Sequence, residues 1–201
     1  MMKKSISMLV LVGILFPTIL CSQIMLNEQK SQPQKMSRSQ ARITLLKSIA
    51  LPGWGEHSLG YNTRGYAFQG AEMLSWAAFA AFTFFGNAQE KTMRAFAAEH
   101  AGIDPTNKDK NYFADIGSYE DIYKYNAAMY RNRSVSLVYA DREKYYWSWD
   151  SKDNRQEFDD LRYRSGIYLR NASLAATALL INRIVSVIDI MSLTSGRIED
   201  S

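Results

Sequence analysis

Cysteine is nearly absent from this chain of 201 residues, which has a single one, Cys21. Cys21 closes the N-terminal apolar run and precedes Ser22, after which we predict that a signal peptide is cleaved. A chain cleaved there has no cysteine. Disulfide bonds, a cysteine nucleophile and a cysteine-ligated zinc site are then excluded.

Histidine is almost as scarce, since His57 and His100 are the only two and lie far apart. A metal site needs three or four converging ligands, and no spacing of His, Asp or Glu here resembles one. Glu56 and His57 are adjacent, so on a helix their side chains would point apart. Phosphate-binding loops and nucleophile elbows are also missing. We therefore expect no catalytic residue, no metal and no cofactor, and a protein that is not an enzyme.

A strong excess of one charge is lacking too, because the formal net charge is only +4. Most of the basic excess lies in the N-terminal part of the chain, ahead of an apolar stretch. A nucleic-acid-binding protein would show a basic stripe on one element or a known motif, and neither is present. We expect no nucleic-acid partner. Anionic lipid headgroups account better for this distribution.

Long apolar blocks, in contrast, are present at residues 8–21, 66–86 and 172–193. The first follows two lysines and has the three-part pattern of a secretory signal, which predicts a signal peptide over 1–22. Lipid attachment at Cys21 and a retained anchor are alternatives. Leu20 is larger than the residue that lipid attachment prefers, and the run is shorter than the ~20 residues of a membrane-spanning helix.

Residues 23–37 are rich in Gln, Ser and Lys and have little periodicity, which predicts a disordered linker. Residues 38–198 are expected to form one helical, membrane-associated domain. Its first helix starts at a cap provided by Ser37 or Ser39. Apolar residues form one face of this helix, and basic residues lie opposite: Ile43, Leu45, Leu46, Ile49 and Ala50 against Arg38, Arg42 and Lys47. Such a helix lies in the headgroup layer of a membrane or, alternatively, covers a soluble core.

A structural motif rich in glycine follows, made of Pro52, Gly53, Trp54, Gly55, Glu56, Gly60 and Gly65. Pro52 ends the preceding helix, because the residue before a proline is driven out of the helical region. The glycines allow tight turns that other residues cannot adopt. We interpret the motif as a hinge that delivers the chain into the apolar helix after it.

Residues 66–86 are long enough, at ~1.5 Å per residue, to cross the ~30 Å hydrocarbon core of a bilayer. Their single charge is Glu72. If this stretch and 172–193 pack as an antiparallel pair, Glu72 comes within about one turn of Arg183. The predicted intramembrane polar contact comprises Glu72, Asn182, Arg183 and Asp189. It is either an ion pair that fixes the helix register or part of a polar pathway or partner contact. The alternative for 66–86 is a buried core helix.

The stretch between these two apolar segments predicts a polar insertion that is itself helical. The helix that contains the apolar stretch 66–86 continues to Ala101 and closes at Gly102. A polar loop occupies 103–118, and Ser118 caps the next helix. Four aromatic residues crowd into Lys144–Trp149. We expect this run to serve a helical core or a membrane interface rather than a stacking platform for sugars or bases.

The stretch Leu51–Glu56, followed by Gly60 and then Arg64 and Gly65, resembles a motif in bacterial envelope membrane families of unknown function. In those families a signal peptide precedes a Pro-Gly-x-Gly-Gln block, and a basic residue and a glycine lead into a membrane helix. Glu56 stands where that pattern has glutamine. Arg94–His100 and Asn182–Asp189 are similar as well, and two-helix membrane domains with a glycine-rich hairpin show a weaker likeness. The resemblance implies membrane association and no known activity.

Together these features predict a mainly α protein with two long apolar transmembrane helices, packed as an antiparallel pair, and a helical polar insertion between them. The expected function is non-enzymatic, that of a structural or accessory scaffold in a bacterial envelope membrane. The inner membrane is favoured over the outer one. The expected partners are the lipid bilayer and other envelope proteins. A soluble periplasmic helical binding module, whose apolar helices form its core, is the alternative. The charges leave the membrane topology open.

Overall fold

The structure is a computed structural model that describes residues 35–141 and 143–198. Its elements are α1 (Arg38–Ala50), α2 (Trp54–Ser58), α3 (Asn62–Ala101), α4 (Lys110–Ser118), α5 (Ile122–Arg131), a short 3-10 helix (Val135–Leu137) and α6 (Lys152–Ser195). The described residues contain no strand, only two isolated bridges, so the predicted mainly α class is confirmed. The predicted signal peptide and the linker up to residue 34 lie outside the described residues.

Helix α1 begins at Ser37, one of its two predicted caps. Ser37 Oγ accepts the N–H of Gln40 at 3.3 Å, and Gln40 Oε1 accepts the N–H of Ser37 at 3.1 Å. The side chains that α1 buries are small or polar, namely Ala41, Thr44 and Ser48. Three long apolar side chains are exposed instead: Ile43, Leu46 and Ile49. α1 therefore packs through small and polar groups and leaves its large apolar ones outside.

The two longest helices are α3, with 40 residues, and α6, with 44 residues. α3 combines the predicted apolar stretch with the amphipathic helix that follows it. It ends where predicted, because Gly102 adopts a φ of +65° that ends helices readily. α6 likewise runs from Lys152 through the apolar stretch 172–193 without a break.

Contacts divide the chain into two compact units. Unit 1 contains the described residues 35–80 and 173–198, and unit 2 contains the described residues of 81–172. Apart from residues 35–37, both units fall inside the one domain that the sequence predicts over 38–198. The long helices α3 and α6 contribute residues to each unit.

Unit 2 has an aromatic core. Its buried apolar residues are Met93, Ala97, Ala101, Ile103, Tyr112, Phe113, Ile116, Ile122, Tyr125, Trp147, Trp149, Phe158 and Leu161. Trp147 Nε1 donates to the carbonyl of Tyr119 at 3.2 Å, and Trp149 Nε1 donates to that of Ile116 at 2.7 Å. Both indoles thus satisfy their polar atom within the core. The aromatic run is therefore core, as expected, rather than an open stacking platform.

Two boundaries in unit 2 differ from the prediction. Part of the predicted polar loop 103–118 is helix α4, which Asp109 caps by accepting the N–H of Tyr112 at 2.8 Å. Ser118 is the last residue of α4, and the cap of α5 is Asp121, which accepts the N–H of Lys124 at 2.7 Å. The loop prediction gave weight to the polar residues before α4 and missed the buried face that α4 presents to the core.

Unit 1 has the opposite distribution of side chains. Its fully buried side chains are Ser48, Pro52, Glu56, Phe68, Ser186 and Ile190, half of them polar. Many of its large apolar side chains are exposed: Ile43, Leu46, Ile49, Leu51, Trp54, Tyr66, Met73, Leu74, Trp76, Leu174, Leu180, Ile181, Ile184, Val185, Ile188, Met191 and Ile198. Unit 1 therefore has polar groups inside and long apolar side chains outside.

Among the described residues, α6 alone is long and apolar enough to cross a membrane. The predicted span at 66–86 does not qualify, so the expected pair of membrane-spanning helices is corrected to one candidate. The apolar character of 66–86 comes mainly from alanine and aromatic residues, which are less hydrophobic per position than leucine or isoleucine. Gln69 and Glu72 lower it further.

Candidate functional site

The glycine-rich motif covers the turn between α1 and α2, the start of α2, the bend after it and the first turn of α3. Gly53 has a φ of +91°, and a Cβ added to it would overlap the carbonyl oxygen of Gly65. A Cβ on Gly55 would overlap Ser48 Oγ. These two glycines are required by close packing as well as by the turn. Gly65 in turn lies against the ring of His57.

The remaining members of the motif divide between the inside and the outside of unit 1. Pro52 is fully buried, whereas Trp54 is 48% exposed. Gly60, with a φ of +83°, forms the bend after α2. His57 Nδ1 lies 2.9 Å from Asn62 Oδ1 across that bend. The motif thus comprises a buried turn, the start of α2 and the bend that leads into α3.

Glu56 is the most deeply buried acidic residue of the motif, with no exposed surface. Ser48 Oγ donates to its Oε2 at 2.9 Å, and Ser186 Oγ donates to its Oε1 at 2.8 Å. Each serine oxygen also accepts a backbone N–H, from Gly55 at 3.0 Å and from Gly53 at 3.3 Å. We call these five residues the Glu56 cluster. It joins α1, the turn, α2 and α6 through buried hydrogen bonds.

Glu72, the single charge of the apolar part of α3, has a side chain that is 5% exposed. Arg183 Nη2 donates to Glu72 Oε1 at 2.8 Å, and Asn182 Nδ2 donates to Glu72 Oε2 at 3.1 Å. Asn182 also reaches the carbonyl of Phe68, and Trp76 Nε1 donates to Glu72 at 3.3 Å. The structure therefore brings together three of the four residues predicted to form the intramembrane contact.

Asp189, the fourth, lies elsewhere and has a different partner. Arg64 Nη1 donates to Asp189 Oδ1 at 2.8 Å, with only 16% and 11% of the two side chains exposed. Farther along, Arg197 Nη2 donates to the hydroxyl of Tyr61 at 2.6 Å. These contacts ascend from Tyr61, just before α3, to Glu72, while their partners descend from Arg197, just after α6, to Arg183. Within unit 1 the two helices therefore pair in opposite directions.

Sequence reasoning missed five residues that carry these contacts: Ser48, Tyr61, Arg64, Ser186 and Arg197. The two serines are the clearest omission. Each is a small polar residue on the buried face of its helix, where a hydroxyl can hydrogen-bond to a neighbouring segment. Arg64 was noticed only as part of the sequence resemblance.

Titratable groups in unit 2 form two smaller clusters. Tyr139 donates its hydroxyl to Asp115 Oδ2 at 2.7 Å, and burial raises the pKa of Asp115 above its ordinary value. Burial likewise raises the pKa of Tyr125, to about 12. His100 Nδ1 lies 2.8 Å from Asp150 Oδ2, and this hydrogen bond lowers the pKa of Asp150. Asn154 contacts both members of that pair.

Within 35–141 and 143–198, no group of three or more His, Cys, Asp or Glu side chains could hold a metal ion. The two histidines belong to different units. Comparison with protein-family models, curated proteins and solved structures finds no match to the chain.

Proposed function

We propose that this chain is a non-enzymatic membrane protein of the bacterial cell envelope, in which unit 1 lies in the bilayer and unit 2 is a water-soluble helical domain. The observation that carries the proposal is the distribution of side chains in unit 1. A protein folded in water buries its large apolar side chains, whereas one in lipid can expose them and bury its polar groups. Glu56 and Ser186 are fully buried, while Leu180 and Met73 are 64% and 73% exposed.

Helix α6 supplies the span in this proposal. Only 22% of its most apolar 18-residue stretch is buried, whereas the core helix of a soluble protein is mostly buried. Charged residues in a membrane-spanning helix face other helices and find partners. Residues 172–193 contain two charged side chains. Arg183 pairs with Glu72 and Asp189 pairs with Arg64, and both partners belong to α3.

Helix α3 is then the antiparallel partner of α6 within unit 1. Its composition is less apolar, and the proposal assigns it the role of shielding the polar side of α6. Two helices held together by a polar seam and surrounded by lipid form a small structural element without chemistry of its own.

The role that fits this arrangement is that of an accessory or scaffold component, with lipid and other envelope proteins as partners. Export is inferred from the predicted signal peptide, and a helical bundle favours the inner membrane over the outer one.

Extraction of membranes with alkaline carbonate tests the proposal. The wild-type protein is expected to stay in the membrane pellet, whereas the soluble periplasmic module would enter the supernatant. Leu180→Lys places a charge on the exposed face of α6, at a cost of about 3 kcal/mol at the centre of a spanning helix, so it should reduce the pelleted fraction.

Tyr123→Lys is the matched control, because Tyr123 is 57% exposed in unit 2. It should leave the pelleted fraction unchanged. A Leu180→Lys variant that pellets as well as the control, or a wild-type protein that is extracted, would reject the bilayer assignment.

A further inference from the structure

Both ends of the α1–α2 hairpin are fastened to the same residue of unit 1. Before α1, the N–H of Met36 donates to the carbonyl of Arg197 at 2.9 Å. After α2, the hydroxyl of Tyr61 accepts from Arg197 Nη2 at 2.6 Å. The chain therefore starts beside the backbone of Arg197, makes two helices and comes back within reach of the Arg197 side chain.

The turn of the hairpin lies much farther along α6. The N–H of Gly53 donates to Ser186 Oγ at 3.3 Å. Ser186 precedes Ser195, the last residue of α6, by nine residues, which corresponds to about 14 Å at ~1.5 Å per residue. That is about half of the ~30 Å hydrocarbon thickness. The apolar stretch of α6 ends at Leu193, so Arg197 lies just beyond the predicted edge of the hydrocarbon.

We propose that residues 36–61 form a re-entrant hairpin, which enters the bilayer beside α6, turns at Pro52 and Gly53 near mid-depth, and leaves on the side where it entered. This inference rests on the proposed membrane location of unit 1. It assigns the outer face of the hairpin one partner, the acyl chains of the surrounding lipid. It also replaces the predicted hinge, because Pro52 and Gly53 form the tip of the hairpin rather than the entrance to α3.

A turn at that depth is tolerated only if its backbone polar groups are satisfied by protein. Pro52 has no N–H, and the N–H groups of Gly53 and Gly55 donate to Ser186 and Ser48. The N–H of Trp54 donates to the carbonyl of Leu51 at 3.1 Å. The Glu56 carboxylate accepts hydrogen bonds from the hydroxyl groups of both serines, so the cluster completes the hydrogen bonding of the turn.

The outer face of the hairpin is suited to lipid. Its exposed large side chains are Ile43, Leu46, Ile49, Leu51 and Trp54. The basic residues Arg38 and Arg42 lie in the half of α1 nearer to Met36, the end that is fastened to Arg197. Lys47 lies deeper, but its Nζ reaches Ser58 Oγ at 3.0 Å, toward the end of α2 and the bend before Tyr61. Long basic side chains of this kind extend toward the membrane surface.

Accessibility of single cysteines tests the hairpin in intact membrane vesicles, in a background carrying Cys21→Ser. Ser39→Cys and Asn62→Cys place a thiol at the two ends, and Leu51→Cys places one at the tip. Leu180→Cys, on the exposed face of α6, reports bilayer insertion independently of the hairpin. Each variant is treated with a membrane-impermeant maleimide from one side at a time.

We expect Ser39→Cys and Asn62→Cys to react from the same side. Leu51→Cys and Leu180→Cys should react at least about tenfold more slowly from either side, because hydrocarbon excludes the water-borne reagent. Reaction of the two end positions from opposite sides would show that the hairpin crosses the membrane and would overturn the inference.

A second contradictory result separates the two proposals. If Leu51→Cys reacts as fast as Ser39→Cys while Leu180→Cys stays protected, the hairpin lies at the membrane surface and the bilayer location of α6 stands. If Leu180→Cys reacts equally fast, the bilayer location itself is wrong and the hairpin fails with it. Purification of each variant with wild-type yield and helicity excludes misfolding as the cause of exposure.

Discussion

Ser186 Oγ donates a 2.8 Å hydrogen bond to Glu56 Oε1 and accepts the N–H of Gly53 at 3.3 Å. One hydroxyl thereby binds two residues that lie 130 and 133 positions before Ser186 in the chain. Ser48 does the same from α1, toward Glu56 and Gly55. The two serines explain why an acidic residue of α2 can be fully buried, since each of its carboxylate oxygens accepts a hydrogen bond.

Replacement of Glu56 by glutamine should be tolerated. A serine hydroxyl both donates and accepts, so it can rotate to receive the amide N–H in place of donating to an oxygen. We expect Glu56→Gln to change the free energy of unfolding of the purified protein in mild detergent by less than about 1 kcal/mol. Glu56→Ala should cost about 3 kcal/mol, because two buried hydroxyls lose their partner and a cavity remains. Equal losses in the two variants would contradict the assigned role of the cluster.

Alanine at the glycines of unit 1 should have effects of opposite sign. Gly53→Ala meets both a positive φ and the carbonyl of Gly65, and we expect a loss of more than about 2 kcal/mol. A Cβ at Gly70, within α3, meets no atom within 4 Å. Gly70→Ala should therefore stabilise by about 0.5–1 kcal/mol through helix propensity. Thermal unfolding of the two variants checks the prediction, and a neutral Gly53→Ala would contradict it.

The Arg64–Asp189 pair should show strong coupling in a double-mutant cycle. Removal of one partner leaves a buried charge, so Asp189→Ala and Arg64→Ala should each cost about 3–5 kcal/mol. The double variant should cost much less than the sum of the two. The Lys124–Glu120 pair of unit 2 is the control, because its side chains are 62% and 46% exposed, and its coupling should be below about 1 kcal/mol. Additive losses at Arg64 and Asp189 would show that they do not act as a pair.

Two aspartates of unit 2 should give pH dependences of opposite sign. Burial raises the pKa of Asp115 above 3.8, so the folded protein binds its proton more readily than the unfolded chain. This contribution to stability should fall as the pH rises from about 3.8 through the folded pKa. The hydrogen bond from His100 lowers the pKa of Asp150 below 3.8, so its contribution should be lost as the pH falls through that lower value.

The variants Asp115→Asn and Asp150→Asn separate these two effects. Unfolding followed at a series of pH values should show a smaller difference between wild type and Asp115→Asn at acidic pH than at neutral pH. For Asp150→Asn, the wild-type advantage should disappear on the acidic side. The same pH dependence in both variants would contradict the assigned pKa directions.

Local signals in the sequence predicted the elements well where a cap or a breaker was explicit. Ser37 begins α1 and Gly102 ends α3 as expected. The prediction failed where burial decided the structure. Asp109 caps a helix whose apolar face is short and lies among polar residues, so the stretch resembled a loop. Such a helix forms because it covers an aromatic core, and a sequence pattern does not show that core.

The polar contacts of unit 1 were only partly accessible to sequence reasoning. Glu72 and Arg183 are charges in apolar stretches, and an antiparallel pairing places them at one level. Asp189 is close to Arg183 in the sequence, but its partner, Arg64, lies in the first turn of α3, ahead of the apolar stretch. The serines of the Glu56 cluster depend on how α1 folds back against α6, and a single chain carries no signal for that approach.

Quenching of tryptophan fluorescence by lipids brominated on their acyl chains tests the placement of unit 1 in the bilayer most directly. Trp54 and Trp76 are 48% and 51% exposed in unit 1, whereas Trp147 and Trp149 are buried in unit 2. We expect the brominated lipids to quench the tryptophan fluorescence of the wild-type protein, and the double variant Trp54→Phe/Trp76→Phe to lose most of this quenching. Quenching that is absent in the wild type, or unchanged in the double variant, would contradict the placement of unit 1 in the bilayer.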